Sequence, residues 1–153
     1  MGKHNTFTVA LEGIPKAIEA SRALERRIKR GGMRAALTKA TTPILRQAKA
    51  MAPRESGLLR KSLKRKVKTN TRSDTITVII GADKSVKGTY KGKERRPARY
   101  LHLVELGHGG PRPAAPHPFL RPAYEGNKNA VISTYKAELK KAIEKVQARL
   151  TKK

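Results

Sequence analysis

The chain has 153 residues, with 36 lysines and arginines against 11 aspartates and glutamates, a formal net charge of +25. It has no cysteine, which excludes a disulfide framework, a thiolate-ligated zinc site and a cysteine nucleophile. Tryptophan is absent and aromatics are 4% of residues, so a core must come from Ile, Leu, Val and Ala, and no apolar run is long enough to span a bilayer.

The opening residues, Met1 to Thr6, lack the apolar stretch of a signal peptide. Thr6 to Leu11 alternates and predicts a short strand with Phe7, Val9 and Leu11 on one face. Beyond Gly13, Pro15 suits the first turn of a helix whose apolar stripe is Ile14, Ala17, Ser21, Leu24 and Ile28, ended by Gly31-Gly32. A second helix is predicted from Met33 to Met51, with Met33, Leu37, Ala40, Ile44 and Ala48 in phase. Pro43 lies inside it, either as a kink or as the first residue of a new helix capped by Thr42. The unbroken stripe favours the kink.

Leu58-Leu59 marks one helical turn, followed by two strands. Leu63, Arg65 and Val67 alternate with Lys64, Lys66 and Lys68, and Ile76, Val78 and Ile80 share a face of the second strand. The polar turn between them completes a hairpin. Residues 83–99 read as a mobile Gly- and Lys-rich loop. Tyr100 to Leu106 is a short helix or strand ended by Gly107, residues 108–118 form a Pro/Gly loop, and the stripe from Leu120 through Tyr135 to Leu150 predicts one long C-terminal helix. The expected architecture is α+β, one domain over residues 1–153. In it, a small antiparallel sheet with a β-hairpin packs against two N-terminal helices and the long C-terminal helix.

Catalytic signatures are missing. The acidic residues stand at no spacing that suggests a metal or acid–base pair, and His102, His108 and His117 match no zinc pattern. There is no phosphate-binding glycine loop and no nucleophile elbow. The residues therefore predict no enzyme, no cofactor and no metal. They do predict contact with polyanions. Lys64, Lys66 and Lys68 project from one strand face about 7 Å apart, closer than the Debye length of about 8 Å, and a facing phosphate backbone or acidic surface relieves their repulsion. Arg60, Lys61 and Arg65 adjoin them, and the loop adds Lys84, Lys87, Lys91, Lys93, Arg95 and Arg96. Few aromatics accompany these cations, so phosphates rather than bases are the expected nucleic-acid contact.

Four pieces in order carry a resemblance. Ala52-Pro53-Arg54-Glu55-Ser56-Gly57-Leu58-Leu59-Arg60-Lys61-Ser62-Leu63 is followed by the strand Ile76 to Gly81. Then come Tyr100-Leu101-His102-Leu103-Val104-Glu105-Leu106-Gly107 and Pro116-His117-Pro118-Phe119-Leu120-Arg121-Pro122-Ala123. The set resembles the tail-completion, or neck, proteins of long-tailed bacteriophages. The resemblance implies a structural virion protein in a homo-oligomeric ring at the head–tail junction, six copies favoured and twelve the alternative. Implied partners are head-side connector or adaptor proteins, tail terminator, tail tube or tape-measure proteins, and the genomic double-stranded DNA. Assembly in the host cytoplasm and no membrane partner are also implied. Ser56, Gly57, Glu105, Gly107, Pro118, Phe119, Arg121 and Pro122 then read as fold-determining, with Glu105 expected to pair with Arg60 or Arg121. A ribosomal or nucleoid-type nucleic-acid-binding protein is the competing reading of the charge.

Overall fold

The computed structural model describes residues 7–9, 26–70, 72–73 and 75–150. The elements are β1 (Phe7–Val9), α1 (Arg26–Ala40), α2 (Thr42–Met51), α3 (Leu58–Ser62), β2 (Leu63–Asn70) and β3 (Thr75–Ala82). They continue with β4 (Gly88–Tyr90), β5 (Lys93–Arg95), α4 (Pro97–Leu106), α5 (Leu120–Glu125) and α6 (Lys128–Leu150). The fold is α+β, with a three-stranded sheet in the order β1-β3-β2 and a separate β4-β5 pair. The strands predicted at 6–11, 63–68 and 75–81 have counterparts in β1, β2 and β3, and β2 and β3 each run slightly further than predicted. Most of the predicted first helix, residues 14–25, lies outside the described residues.

The chain folds as two compact units. One is built chiefly from segments 43–66 and 79–127, the other from 26–42, 67–78 and 128–150. In the second unit α1 packs on α6. Met33, Ala36, Leu37 and Ala40 are buried at helical spacing on α1, and Val131, Tyr135 and Leu139 at four-residue steps on α6. Each large aliphatic side chain so buried contributes about 1.5–3 kcal/mol. Lys39 Nζ meets Glu138 Oε2 at 2.8 Å between the two helices, and hydrogen bonds from Lys39 and Lys141 hold the Glu138 carboxyl below its usual range.

Three helix boundaries depart from the sequence reading. Gly31-Gly32 does not end a helix, because α1 runs through both residues. Each internal glycine costs about 1 kcal/mol relative to alanine, and burial of Met33, Ala36 and Leu37 outweighs it. At Pro43 the chain breaks rather than kinks. Thr41 Oγ1 and Thr42 Oγ1 donate to the carbonyls of Leu37 and Thr38 at 2.7 and 3.0 Å, and Pro43 has no N–H to offer the carbonyl of Lys39. The long C-terminal helix is present as α6, but it starts at Lys128 rather than Leu120, and a separate short helix, α5, precedes it. Gly126 N donates to Pro122 O and Asn127 N to Tyr124 O, both at 3.0 Å. The Asn127 side-chain amide donates to Ala123 O at 2.8 Å and to Gln47 Oε1. These bonds tighten the turn at 126–127 and end α5.

In the unit carrying 43–66 and 79–127, Ile44, Ala48, Ala52, Leu59, Leu63, Ile80, Leu101, Phe119, Leu120 and Ala123 are buried. The segment 83–99, expected as a loop, contains a hairpin with register Gly88↔Arg95, Thr89↔Glu94 and Tyr90↔Lys93. Its two-residue turn has Lys91 at φ 50° and Gly92 at φ 72°, the signs of the type I′ turn that matches the strand twist. The Tyr100–Leu106 piece is helical and belongs to α4.

Candidate interaction site

Two of the sequence pieces, 100–107 and 116–123, meet at Glu105. Its side chain is 3% exposed on the inner face of α4. The carboxylate accepts from the backbone N–H of Phe119 and Leu120 at 2.9 and 3.0 Å through Oε2, and from Arg121 at 2.9 Å through Oε1. These N–H groups stand at the cap and first turn of α5, where they have no partner within the helix. Phe119, which precedes α5, has no side-chain oxygen to cap it, so a carboxylate from another helix does so. The expected ion pair of Glu105 with Arg60 or Arg121 is therefore corrected: Glu105 takes backbone donors, and the Arg60 and Arg121 side chains are exposed. Phe119 is fully buried, as an anchor for this entry.

Gly107 follows α4 with φ 70°. A Cβ there would stand 2.8 Å from Ala114 O and from Pro116 N, so both its torsion and its surroundings require glycine. The chain then leaves as a tongue. His108 and Ala114 exchange backbone bonds at 3.0 and 2.9 Å, and His117 N donates to Val104 O at 2.8 Å. Residues 109–113, with Arg112 among them, are exposed.

Gly57, at φ 67°, precedes α3, and Ser56 Oγ accepts from Leu58 N at 3.3 Å. Ser62 is fully buried and donates to Leu59 O at 2.6 Å. Its carbonyl accepts from Asp83 N at 2.8 Å, which ties the end of α3 to the end of β3.

The predicted basic residues divide by setting. Lys64, Lys66 and Lys68 are exposed along β2, alternating with less exposed neighbours. Lys64 Nζ reaches Asp83 Oδ2 at 2.6 Å, and this bond, with those from Ser85, holds the Asp83 carboxyl far below its usual range. Lys66 and Lys68 make no ion pair among the described residues. Arg65 is half-buried, and burial lowers the pKa of its guanidinium. Arg60, Lys61, Lys84 and Lys87 are exposed. In the hairpin, Arg96 pairs with Glu94 at 2.8 Å, and Lys91 Nζ lies 5.3 Å from the centre of the Tyr90 ring, within cation–π reach.

Sequence reasoning missed a cleft of about 460 Å³ in the same unit. Leu59 of α3 and Tyr100, Leu103 and Val104 of α4 form its apolar wall. Tyr90 and Arg95 bring in the hairpin, and His108, Ala114 and His117 bring in the tongue. Tyr90 Oη donates to Glu55 Oε1 at 3.2 Å across this space. Burial raises the pKa of the Tyr100 hydroxyl, against a hydrogen bond with the Ser56 side chain. The three-residue steps Tyr100, Leu103 and Leu106 on a helix were the available signal. Among the described residues no helix is long and apolar enough to cross a membrane, and no cluster of three or more His, Asp or Glu could hold a metal ion.

Against known proteins, a family model described as "Bacteriophage HK97-gp10, putative tail-component" matches residues 16–107. That span takes in α1, α2, both hairpins, α4 and the glycine after it. No curated protein and no solved structure matches the chain.

Proposed function

We propose, since this chain belongs to the HK97-gp10-like family of bacteriophage tail components, that it forms a ring at the head–tail junction and completes the tail there. The family gives it a structural role in the virion, in company with other virion proteins. Beyond that role we infer the ring, its place at the neck and the facing of its charge, with no catalytic step. The observation that carries this reading is the charge of +25 spread over a folded body. A ring of such subunits repels itself unless something negative lies against it. The genome end and acidic neighbouring rings are the negative bodies a neck offers. Exposed Lys66 and Lys68 on β2, with Lys87 beside the β4-β5 hairpin, are the cations we assign to that contact.

Cryo-electron microscopy of the virion, or of the purified oligomer, tests this. The expected result is a closed ring between head and tail with these lysines toward the DNA or toward an acidic ring. A monomer or dimer that co-sediments with ribosomes, or that compacts DNA on its own, would overturn it in favour of a general nucleic-acid-binding protein.

A further inference from the structure

The cleft beside α4 has no part in the reading above. Its volume of about 460 Å³ lies in the range of small ligand pockets, about 300–1,000 Å³. It is open, and its apolar wall does not stop at the mouth. Leu106, three residues beyond Leu103 on α4, is 56% exposed, the highest value among the large exposed hydrophobic residues described. Residues three apart on a helix are surface neighbours, so Leu103 and Leu106 continue one apolar strip out of the cleft.

The hairpin sorts its charges about this strip. Tyr90 and Lys93 are paired across the strands, as are Gly88 and Arg95. Directly opposed residues share a face, and alternate residues of one strand do too. Tyr90 and Arg95 line the cleft, so Lys93 stands on the cleft face with them. Glu94, between Lys93 and Arg95, falls on the opposite face, where it pairs with Arg96. Lys93 and Arg95 have no ion pair among the described residues. The carboxylate in the cleft, Glu55, accepts from the Tyr90 hydroxyl. The result is an apolar wall flanked by two cations that form no ion pair among the described residues, with Glu55 the one carboxylate in the lining.

We propose that this cleft docks an acidic segment of a partner virion protein that carries one large aliphatic or aromatic residue. That residue enters against Tyr100, Leu103 and Val104, and flanking carboxylates meet Lys93 and Arg95. The inference rests on the reading that the chain works within an assembly of virion proteins. A second copy of this +25 chain brings the wrong charge, and duplex DNA has no apolar part to fill the slot.

The test uses the full chain and two labelled peptides at near-physiological salt: glutamates around one phenylalanine, and the same peptide with serine in its place. Fluorescence anisotropy reads affinity. The phenylalanine peptide is expected to bind roughly tenfold tighter than its twin, the gain from burying part of one aromatic side chain. Arg95→Glu and Leu103→Lys should each erase that preference, while Lys136→Glu, on exposed α6 surface, should keep it. Arg95 is exposed, so its variant is not confounded by unfolding. Equal binding of the twins, or a preference that survives both cleft variants, overturns the proposal. So does displacement of the phenylalanine peptide by duplex DNA with the same dependence on Leu103. Equal twins together with a ring seen in the virion neck would remove the docking inference alone. A peptide preference in a protein absent from the neck would remove the neck reading and leave the cleft's chemistry standing.

Discussion

On the α1–α6 pair, Met33, Leu37, Val131, Tyr135 and Leu139 are buried at helical spacing, and a volume-conserving exchange among aliphatics keeps such an interface. In the unit built from 43–66 and 79–127, one carboxylate serves three backbone donors, and one glycine holds a torsion and a gap that no other residue can share. The first arrangement is specified by the size and period of its residues. The second is specified by individual atoms. The motif pieces 100–107 and 116–123 lie in the second, where the choice of residue is narrowest.

The sharpest way to break this comparison is a pair of near-isosteric exchanges. Glu105→Gln keeps one acceptor oxygen but turns an amide N–H₂ toward a backbone N–H, and it loses the charge that strengthens all three bonds. We expect a cost of about 3 kcal/mol, and about 4 kcal/mol for Glu105→Ala, which strands all three donors. Leu139→Met, in the helix pair, should cost less than about 1.5 kcal/mol. Urea midpoints followed by circular dichroism measure both. Equal costs for the Gln and Met variants would dissolve the distinction between the units.

A second pair tests glycine against glycine. Gly107→Ala places a Cβ against Ala114 O and Pro116 N at positive φ, and we expect a loss of about 2–3 kcal/mol. Gly31→Ala, inside α1 with open space around its Cβ, should gain up to about 1 kcal/mol. Thermal melts of the two variants should shift in opposite directions, and a shared direction would show that the sites are not different in kind.

The smallest effect sharpens the account of the helix pair. The Tyr135 hydroxyl is buried with no hydrogen-bond partner among the described residues, and burial raises its pKa. Tyr135→Phe keeps the packed ring and removes the stranded donor, so a gain of about 1 kcal/mol is expected. A loss in the urea midpoint would mean that the hydroxyl has a partner after all.

The sequence made these regions legible to different depths. Periodicity alone located the β2-β3 strands and the buried stripe of α6, because alternation and four-residue steps persist there over many residues. It failed at Gly31-Gly32, where packing overrode a local breaker, and at 126–127, where a side-chain amide rather than a proline ends the helix. The β4-β5 strands have three residues each, too few to show a period, and the Lys91-Gly92 turn sits among other lysines and glycines that mask it. Glu105 was visible as a motif residue, but its partners were not. Backbone N–H groups look alike in every sequence, so the arginines of the neighbouring motif pieces are the partners it suggests instead. The cleft is hidden in the sequence because its walls come from four separate stretches, brought together by turns that no single period reveals.

The tongue between Gly107 and Phe119 is fastened at its base twice, by the His108–Ala114 exchange and by the bond from His117 to Val104. Its tip takes no part in either fastening. Once the ends of a loop are fixed, doubling its length adds only about 0.6 kcal/mol of closure entropy. The Gly109–Pro113 tip is thus the place where this chain can accept foreign sequence, an epitope or a grafted recognition loop, at little expense to the body that carries it.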